Sequence, residues 1–201
     1  KIITNQELKT FLERNNKLII VKWVPNEGPY RTLLPLLKEK WLDNCIIITI
    51  DDDTVYDYNL IKNLVNDYNI HKCVINYRGF TPDIKSLEDF DYHRRAKLVN
   101  NHLYNFPTGK SGILYKPSFF HNTQQLIFDK NIYLEYGPTS DDIWFYLIRI
   151  KNGVPCHLST KKYMLRDNTN HSTGLYANYN AKNHPNCNTK IFANILKQLK
   201  I

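Results

Sequence analysis

Cys45-Ile46-Ile47-Ile48-Thr49-Ile50-Asp51-Asp52-Asp53 is the stretch that decides the fold. Its β-branched residues suit a pleated, packed surface. Apolar on both faces, the run from Cys45 to Ile50 predicts a central strand of a covered sheet. It ends on three consecutive carboxylates. In an open α/β sheet, ligands bind outside the carboxyl ends of the strands, so these acids stand where a site is expected. Three adjacent carboxylates repel one another and resist unpaired burial. A hard divalent cation, Mn²⁺ or Mg²⁺, is the fitting counter-charge, because it prefers carboxylate oxygens and bridges to substrate phosphates. The competing reading is an acidic turn that caps the next helix. One Asp would serve for that; three exceed the need.

Working outward, Lys17–Trp23 is another short β-branched run and predicts a buried strand, preceded by a helical pattern through Leu8, Phe11 and Leu12. Thr32–Trp41 reads as a helix with Leu33, Leu34, Leu36, Leu37 and Trp41 on one broad face; Pro35 is tolerated in its first turn. Asp57–Tyr68 reads as a helix and Cys73–Tyr77 as a strand. Strands alternating with helices in this way predict an α/β domain, a mostly parallel sheet flanked by helices. Residues 78–105 lose the periodicity and form a long excursion, which in a domain of this size is often functional. Beyond it come a short strand at Gly112–Tyr115 and a helix at Ser140–Ile150, capped by Thr139 or Ser140 and stopped at Asn152-Gly153. A short strand at Pro155–Leu158 and an amphipathic helix at Asn188–Leu199 complete the pattern.

The 201 residues carry a formal net charge of +8. Such a balance favours anionic partners. The Lys and Arg residues are scattered, however, which favours a solvated surface over a nucleic-acid groove. The 14 Tyr and 9 Phe exclude a disordered chain. Cys45, Cys73, Cys156 and Cys187 form no C-x-x-C pair and no zinc spacing, so they read as reduced thiols of the cytoplasm or another reducing compartment. No apolar stretch has the length of a membrane span.

Three further groups of residues could carry chemistry. Pro138-Thr139-Ser140-Asp141-Asp142-Ile143-Trp144 puts two acids in the first turn of a helix, where the helix dipole favours them. Set against a second acidic cluster, they become candidate general bases. Phe106-Pro107-Thr108-Gly109-Lys110-Ser111-Gly112 ends like a phosphate-binding P-loop, but Tyr104 stands where that motif needs its first glycine. A turn whose glycines, Gly109 and Gly112, let the backbone approach a ligand is the better functional reading. Arg78, Arg94 and Arg95 are candidate contacts for an anionic ligand, which the resemblance given below makes a diphosphate, with surface arginines the competing reading. His171 is a candidate metal ligand, against a solvated histidine. Trp23, Tyr115 and Trp144 would suit the face of a sugar and would equally suit a core.

Four segments, in order, resemble a group of GT-A-fold glycosyltransferases. Glu27–Lys38 is similar to their G-P-x-x-K-L-x-P-x-L-K segment, and Ile46–Asp53 to their strand and metal-binding D-x-D loop. Phe106–Tyr115 is similar to their P-T-G-x-G-G-x-L-Y segment, and Pro138–Trp144 to their P-T-x-D-D-x-W helix. The chain departs from the pattern at Ser111, where a glycine is expected, and at Arg31 or Thr32, where a lysine is. The resemblance implies a GT-A-type catalytic domain spanning residues 1–201 and lacking the opening strand that holds the nucleotide base, of which no copy is found before Leu18. It implies transfer of a sugar from a nucleotide-diphosphate donor to a glycan or other hydroxyl acceptor, with inversion. The metal would be Mn²⁺ or Mg²⁺ on Asp51 and Asp53. Asp51, Asp52, Arg78, Gly109 and Gly112 would contact the donor, and Asp142 or Asp141 would be the base, Asp142 being favoured. Two other readings stay open: a metal-dependent phosphoesterase or nuclease, and a non-catalytic module that binds sugar nucleotides.

Overall fold

A computed structural model describes residues 3–159, 164–167, 176–181 and 187–201. In chain order the elements are α1 (Gln6–Arg14), a 3₁₀ turn (Gly28–Thr32), α2 (Leu34–Glu39), β1 (Ile47–Thr49), β2 (Thr54–Tyr56), α3 (Leu60–His71), β3 (Val74–Asn76) and β4 (Gly79–Phe80). There follow β5 (Asn101–His102), β6 (Phe106–Pro107), β7 (Ile113–Tyr115), α4 (Gln124–Ile127), α5 (Lys130–Tyr136), α6 (Asp141–Lys151), β8 (Cys156–Leu158), β9 (Met164–Asp167) and α7 (Asn188–Leu199).

Five strands form one sheet in the order β1-β7-β3-β8-β5. It is mixed, not mostly parallel as the strand–helix alternation predicts. Only β3 and β8 pair in parallel; β7 runs antiparallel to both β1 and β3, and β5 antiparallel to β8. The cause is the excursion after β3. A helical crossover returns a chain parallel to the strand it left. Here the chain returns without one and enters β7 between β1 and β3 from their carboxyl ends. The amino end of β7 therefore lies beside those carboxyl ends, and this places the site. A second correction concerns β1, which lies at the edge of the sheet, not its centre.

The two faces of the sheet are covered differently. Ile47, Ile113 and Tyr115 belong to the large core with α6, α7 and Leu33, Leu34 and Leu37, whereas Leu114 and Ile75 pack with Leu60 and Leu64 of α3. Every residue of α6 from Ile143 to Ile150 is buried. A helix apolar all round belongs inside a core. Trp144 is wholly buried, its indole N–H donating to the Ile127 carbonyl at 3.1 Å, so it is core and not a sugar platform.

The predicted strand at Lys17–Trp23 does not form. These residues join no ladder, and Leu18, Ile20, Val21 and Trp23 are exposed. The predicted helix at Thr32–Trp41 breaks into the 3₁₀ turn and the short α2. Pro35 lacks the N–H that a continuous helix would aim at the Arg31 carbonyl. At α6, Ser140 occupies the N-cap position, but its hydroxyl donates to Asn188 Oδ1 at 2.9 Å instead of capping the helix.

The sheet also holds a pH-sensitive contact. The His157 ring, on β8, stacks on that of His71 with centroids 3.7 Å apart, and its Nδ1 is buried with no hydrogen-bond partner among the described residues. Burial, then the neighbouring His71, lower the His157 pKa below its ordinary 6.5. The unfolded chain therefore takes up a proton that the folded chain refuses. This contribution to stability is intact above 6.5 and is lost as pH falls below it. Urea unfolding at pH 7.5 and 5.0 should show His157→Phe losing less stability between the two than the wild type. An equal loss would mean that this pair does not sense pH.

Candidate active site

Three strand ends and one helix start meet on one side of the sheet. β1 delivers Asp51 and Asp53, β3 delivers Arg78, the turn before β7 delivers Gly109 and Lys110, and α6 delivers Asp141 and Asp142. All seven line a single cleft of about 880 Å³. Arg95 also lines it, its guanidinium 4.7 Å above the centre of the Phe80 ring. Tyr115 reaches the floor while remaining almost wholly buried.

Other residues singled out from sequence lie elsewhere. Asp52 is exposed and does not line the cleft. Gly112 sits behind it, where a Cβ would come within 3.3 Å of the Leu60 side chain. Its φ of +82° is a conformation that favours glycine, so its role is to let β7 start beside β1. Arg94 is turned away, donating to the Asp83 and Asp89 carbonyls. Trp23 is exposed and outside the cleft. His171 lies outside the described residues.

The walls are held by residues that sequence patterns do not flag. The Tyr56 hydroxyl, on β2, accepts from the Asp51 N–H at 2.8 Å and donates to the Lys110 carbonyl at 3.0 Å. One phenol thus ties the acidic loop to the turn opposite. Asn76 is wholly buried at the end of β3. Its amide donates to the Thr108 and Gly112 carbonyls at 3.2 and 2.9 Å, and its oxygen accepts from the Arg78 N–H at 3.1 Å. Every hydrogen of that amide is used in shaping the turn. On the far wall, Thr139 and Asn180 bond reciprocally, with the hydroxyl donating at 2.7 Å and the Asn180 amide returning a bond to the Thr139 carbonyl at 3.0 Å. The Tyr30 hydroxyl donates to the Gly137 carbonyl at 2.5 Å and fixes the Gly28–Thr32 turn against the Pro138–Trp144 segment.

Replacing Asn76 by Leu keeps the branched shape and removes these bonds together with the one its oxygen accepts from the Thr108 N–H at 3.4 Å. Each buried group left without a partner costs about 1–3 kcal/mol, so urea unfolding should show a loss of at least about 2 kcal/mol. Unchanged stability would mean that water replaces the amide.

The electrostatics of the cleft are strained. Asp51 titrates above the ordinary carboxylate range, first because it is partly buried and second because Asp53 is close; Lys110 and Arg78 offset part of this. Burial raises Asp141 to about 6. Burial and the adjacent Asp141 push Asp142 up further, against the Gly109 N–H, which donates to both its carboxylate oxygens at 3.2 and 3.3 Å. Asp51 also raises the pKa of Asp141 and Asp142 from across the cleft, so four acids around one cleft form a place that gains from a cation. Among the described residues, no three His, Cys, Asp or Glu side chains converge closely enough to hold a metal by themselves. Asp51 and Asp53 would supply two ligands, which suits Mg²⁺ or Mn²⁺ completed by water and substrate oxygens.

The four cysteines are free thiols, three of them buried. Among the described residues, no helix is long and apolar enough to cross a membrane. No protein-family model, no curated protein and no solved structure matches the chain.

Proposed function

We propose that this chain is a metal-dependent glycosyltransferase of the GT-A type that moves a sugar from a nucleotide-diphosphate donor to an acceptor hydroxyl. One observation carries the reading. An acidic loop at a strand's carboxyl end and a second acidic pair on a helix start face each other across one cleft, with Arg78 and Lys110 beside them. The ordered resemblance of four segments supports it, because the Gly28–Thr32 turn, the acidic loop, the Thr108–Gly112 turn and the start of α6 all border that cleft.

Asp51 and Asp53 would hold Mn²⁺ or Mg²⁺. When bound, the ion neutralises the diphosphate as charge gathers on it. Arg78 and Lys110 would bind the same phosphates and orient the donor. Asp142 would be the base. As the bond from the anomeric carbon to the diphosphate oxygen breaks, the acceptor oxygen bonds to that carbon and its proton passes to Asp142. A carboxylate with a raised pKa is a stronger base than an ordinary one, provided that it is ionised at working pH. Attack from the side opposite the diphosphate inverts the anomeric centre.

The test is a thermal shift with UDP-, GDP- and dTDP-sugars, with and without Mn²⁺. A ligand at 100 times its Kd stabilises by about 2.7 kcal/mol, or roughly 5–10 °C for a chain of this size. The expected shift needs one nucleotide and the metal together and disappears in Asp51→Ala. A shift without turnover of any acceptor would point to a binding module. No shift with any donor would sink the proposal.

A further inference from the structure

The cleft has a part that the proposed chemistry does not use. Beyond the start of α6 its lining continues with Tyr92, Arg95, Asn180 and Asn188, none of them an acid. These residues are tied to one another and to the base. The Ser140 hydroxyl, one residue before Asp141, donates to Asn188 Oδ1 at 2.9 Å. Beside Asn188, Thr189 Oγ1 accepts from the Tyr92 N–H at 3.1 Å. The Tyr92 ring meets that of Phe80 edge-on with centroids 5.4 Å apart, and the Arg95 guanidinium lies over the same Phe80 ring.

Arg95 differs from the other two cations of the cleft. The leading influences on Asp51, Asp141 and Asp142 include Arg78 and Lys110 but not Arg95, which therefore stands away from the metal end. Among the described residues its guanidinium makes no ion pair and no hydrogen bond. Its backbone is anchored nonetheless: Arg95 bridges to Pro82, and the Ala96 N–H donates to the Thr81 carbonyl at 2.9 Å. A guanidinium held over an aromatic ring keeps the donors along its edge for a carboxylate or phosphate. Asp91 is near in sequence but does not line the cleft; its carboxylate accepts from the His93 N–H at 2.9 Å and the Thr189 hydroxyl at 3.4 Å. α7 starts at this place with no acid in its first turn, which adds positive charge to it.

We propose that this part of the cleft binds a carboxylate or phosphate group through Arg95. Its assignment to the acceptor rests on the glycosyltransferase reading. The reacting hydroxyl then lies at Asp142, and the rest of the acceptor runs past Asn188 and Tyr92 to Arg95. The acceptor is acidic, a uronic acid or a phosphorylated sugar, and its charge is bound apart from Arg78 and Lys110, which serve the donor.

NMR titration of the metal-free full chain with glucose, glucuronic acid and glucose 6-phosphate tests this. At least one of the two acids should bind at least about tenfold more tightly than glucose, as a charge-assisted bond implies; which of them does so names the anionic group. Arg95→Met keeps an apolar side chain against Phe80, so its melting should be unchanged, and its preference for the acid should vanish. Arg95→Lys should retain part of the preference, and Arg78→Met all of it. Equal binding of the three probes overturns the proposal, and so does a preference that survives Arg95→Met. An Arg95→Met variant that also loses the thermal shift with nucleotide-sugar and Mn²⁺ overturns it too, because Arg95 would then belong to the donor. An Arg95-dependent preference in a chain that binds no nucleotide-sugar upholds the anion site while the glycosyltransferase reading falls.

Discussion

Asp142→Asn should abolish sugar transfer and at the same time make the unliganded protein more stable. Asparagine keeps the shape and one acceptor for the Gly109 N–H but cannot take a proton. Removing a general base typically lowers kcat by about 10²–10⁴. The gain in stability comes from the same carboxylate. A group whose folded pKa is raised stabilises the fold only while protonated. The contribution of Asp141 is therefore full below about 3.8 and is lost as pH rises through about 6, and that of Asp142 has the same sign. Where the pair is ionised, the folded chain bears its repulsion and desolvation. Taking one charge away should return on the order of 1 kcal/mol, or about 2–4 °C in Tm. Activity assays and melting curves at pH 7.5 check both halves. Retained activity would move the base to Asp141. Loss of activity together with a lower Tm would make the carboxylate a structural anchor for Gly109.

Arg149→Met should cost the most stability. Arg149 is wholly buried on α6. Its guanidinium donates to the Leu103 carbonyl at 2.9 Å, to the Asn105 carbonyl at 2.8 Å and to the Val154 carbonyl. It binds the end of the long excursion to the end of the helix, and burial draws its pKa down. Methionine fills the space but leaves three buried carbonyls without donors. Breaking such a buried charged network costs about 3–5 kcal/mol, a large share of the 5–15 kcal/mol that holds a typical domain. Arg149→Lys keeps the charge but is a point donor, not a planar fork, so it should fall between the two. Urea midpoints decide the order; a methionine variant as stable as the wild type would show that the carbonyls find water.

The features legible in the sequence were those set by local pattern. α7 has the predicted limits, and β3 and β8 lie within their predicted runs, because apolar periodicity records which side of each segment is buried. The acids at 51–53 and 141–142 were legible as two clusters, and the structure brings Asp51, Asp53, Asp141 and Asp142 to one cleft. What the pattern could not carry was placement. Nothing in Ile113-Leu114-Tyr115 says that this strand inserts between β1 and β3, which turns a parallel sheet into a mixed one. The composition of Lys17–Trp23 gives it the propensity of a strand, but propensity supplies no partner. Tyr56 and Asn76 are not legible because a single polar residue has no motif. An asparagine that closes an apolar run, two residues before an arginine, is the one sequence signal of such a role.

The two walls of the cleft differ in how they are built, and the difference should set the order in which they move. Asp141 and Asp142 sit on the first turn of α6, the helix buried through eight consecutive residues from Ile143 to Ile150. Amides there can exchange only when the whole domain opens. Asp51 and Asp53 sit on a short loop beside β2, a three-residue strand paired among the described residues only with β9, and Val55 is exposed. That wall can open by releasing the two Tyr56 bonds and the short β2 ladder, without disturbing α6. On the proposed reading, the side that would accept the proton is a fixed anvil, and the side that would grip the phosphates is a spring jaw. Entry and exit of a bulky nucleotide would then require no disturbance of the carboxylate held in register with the acceptor.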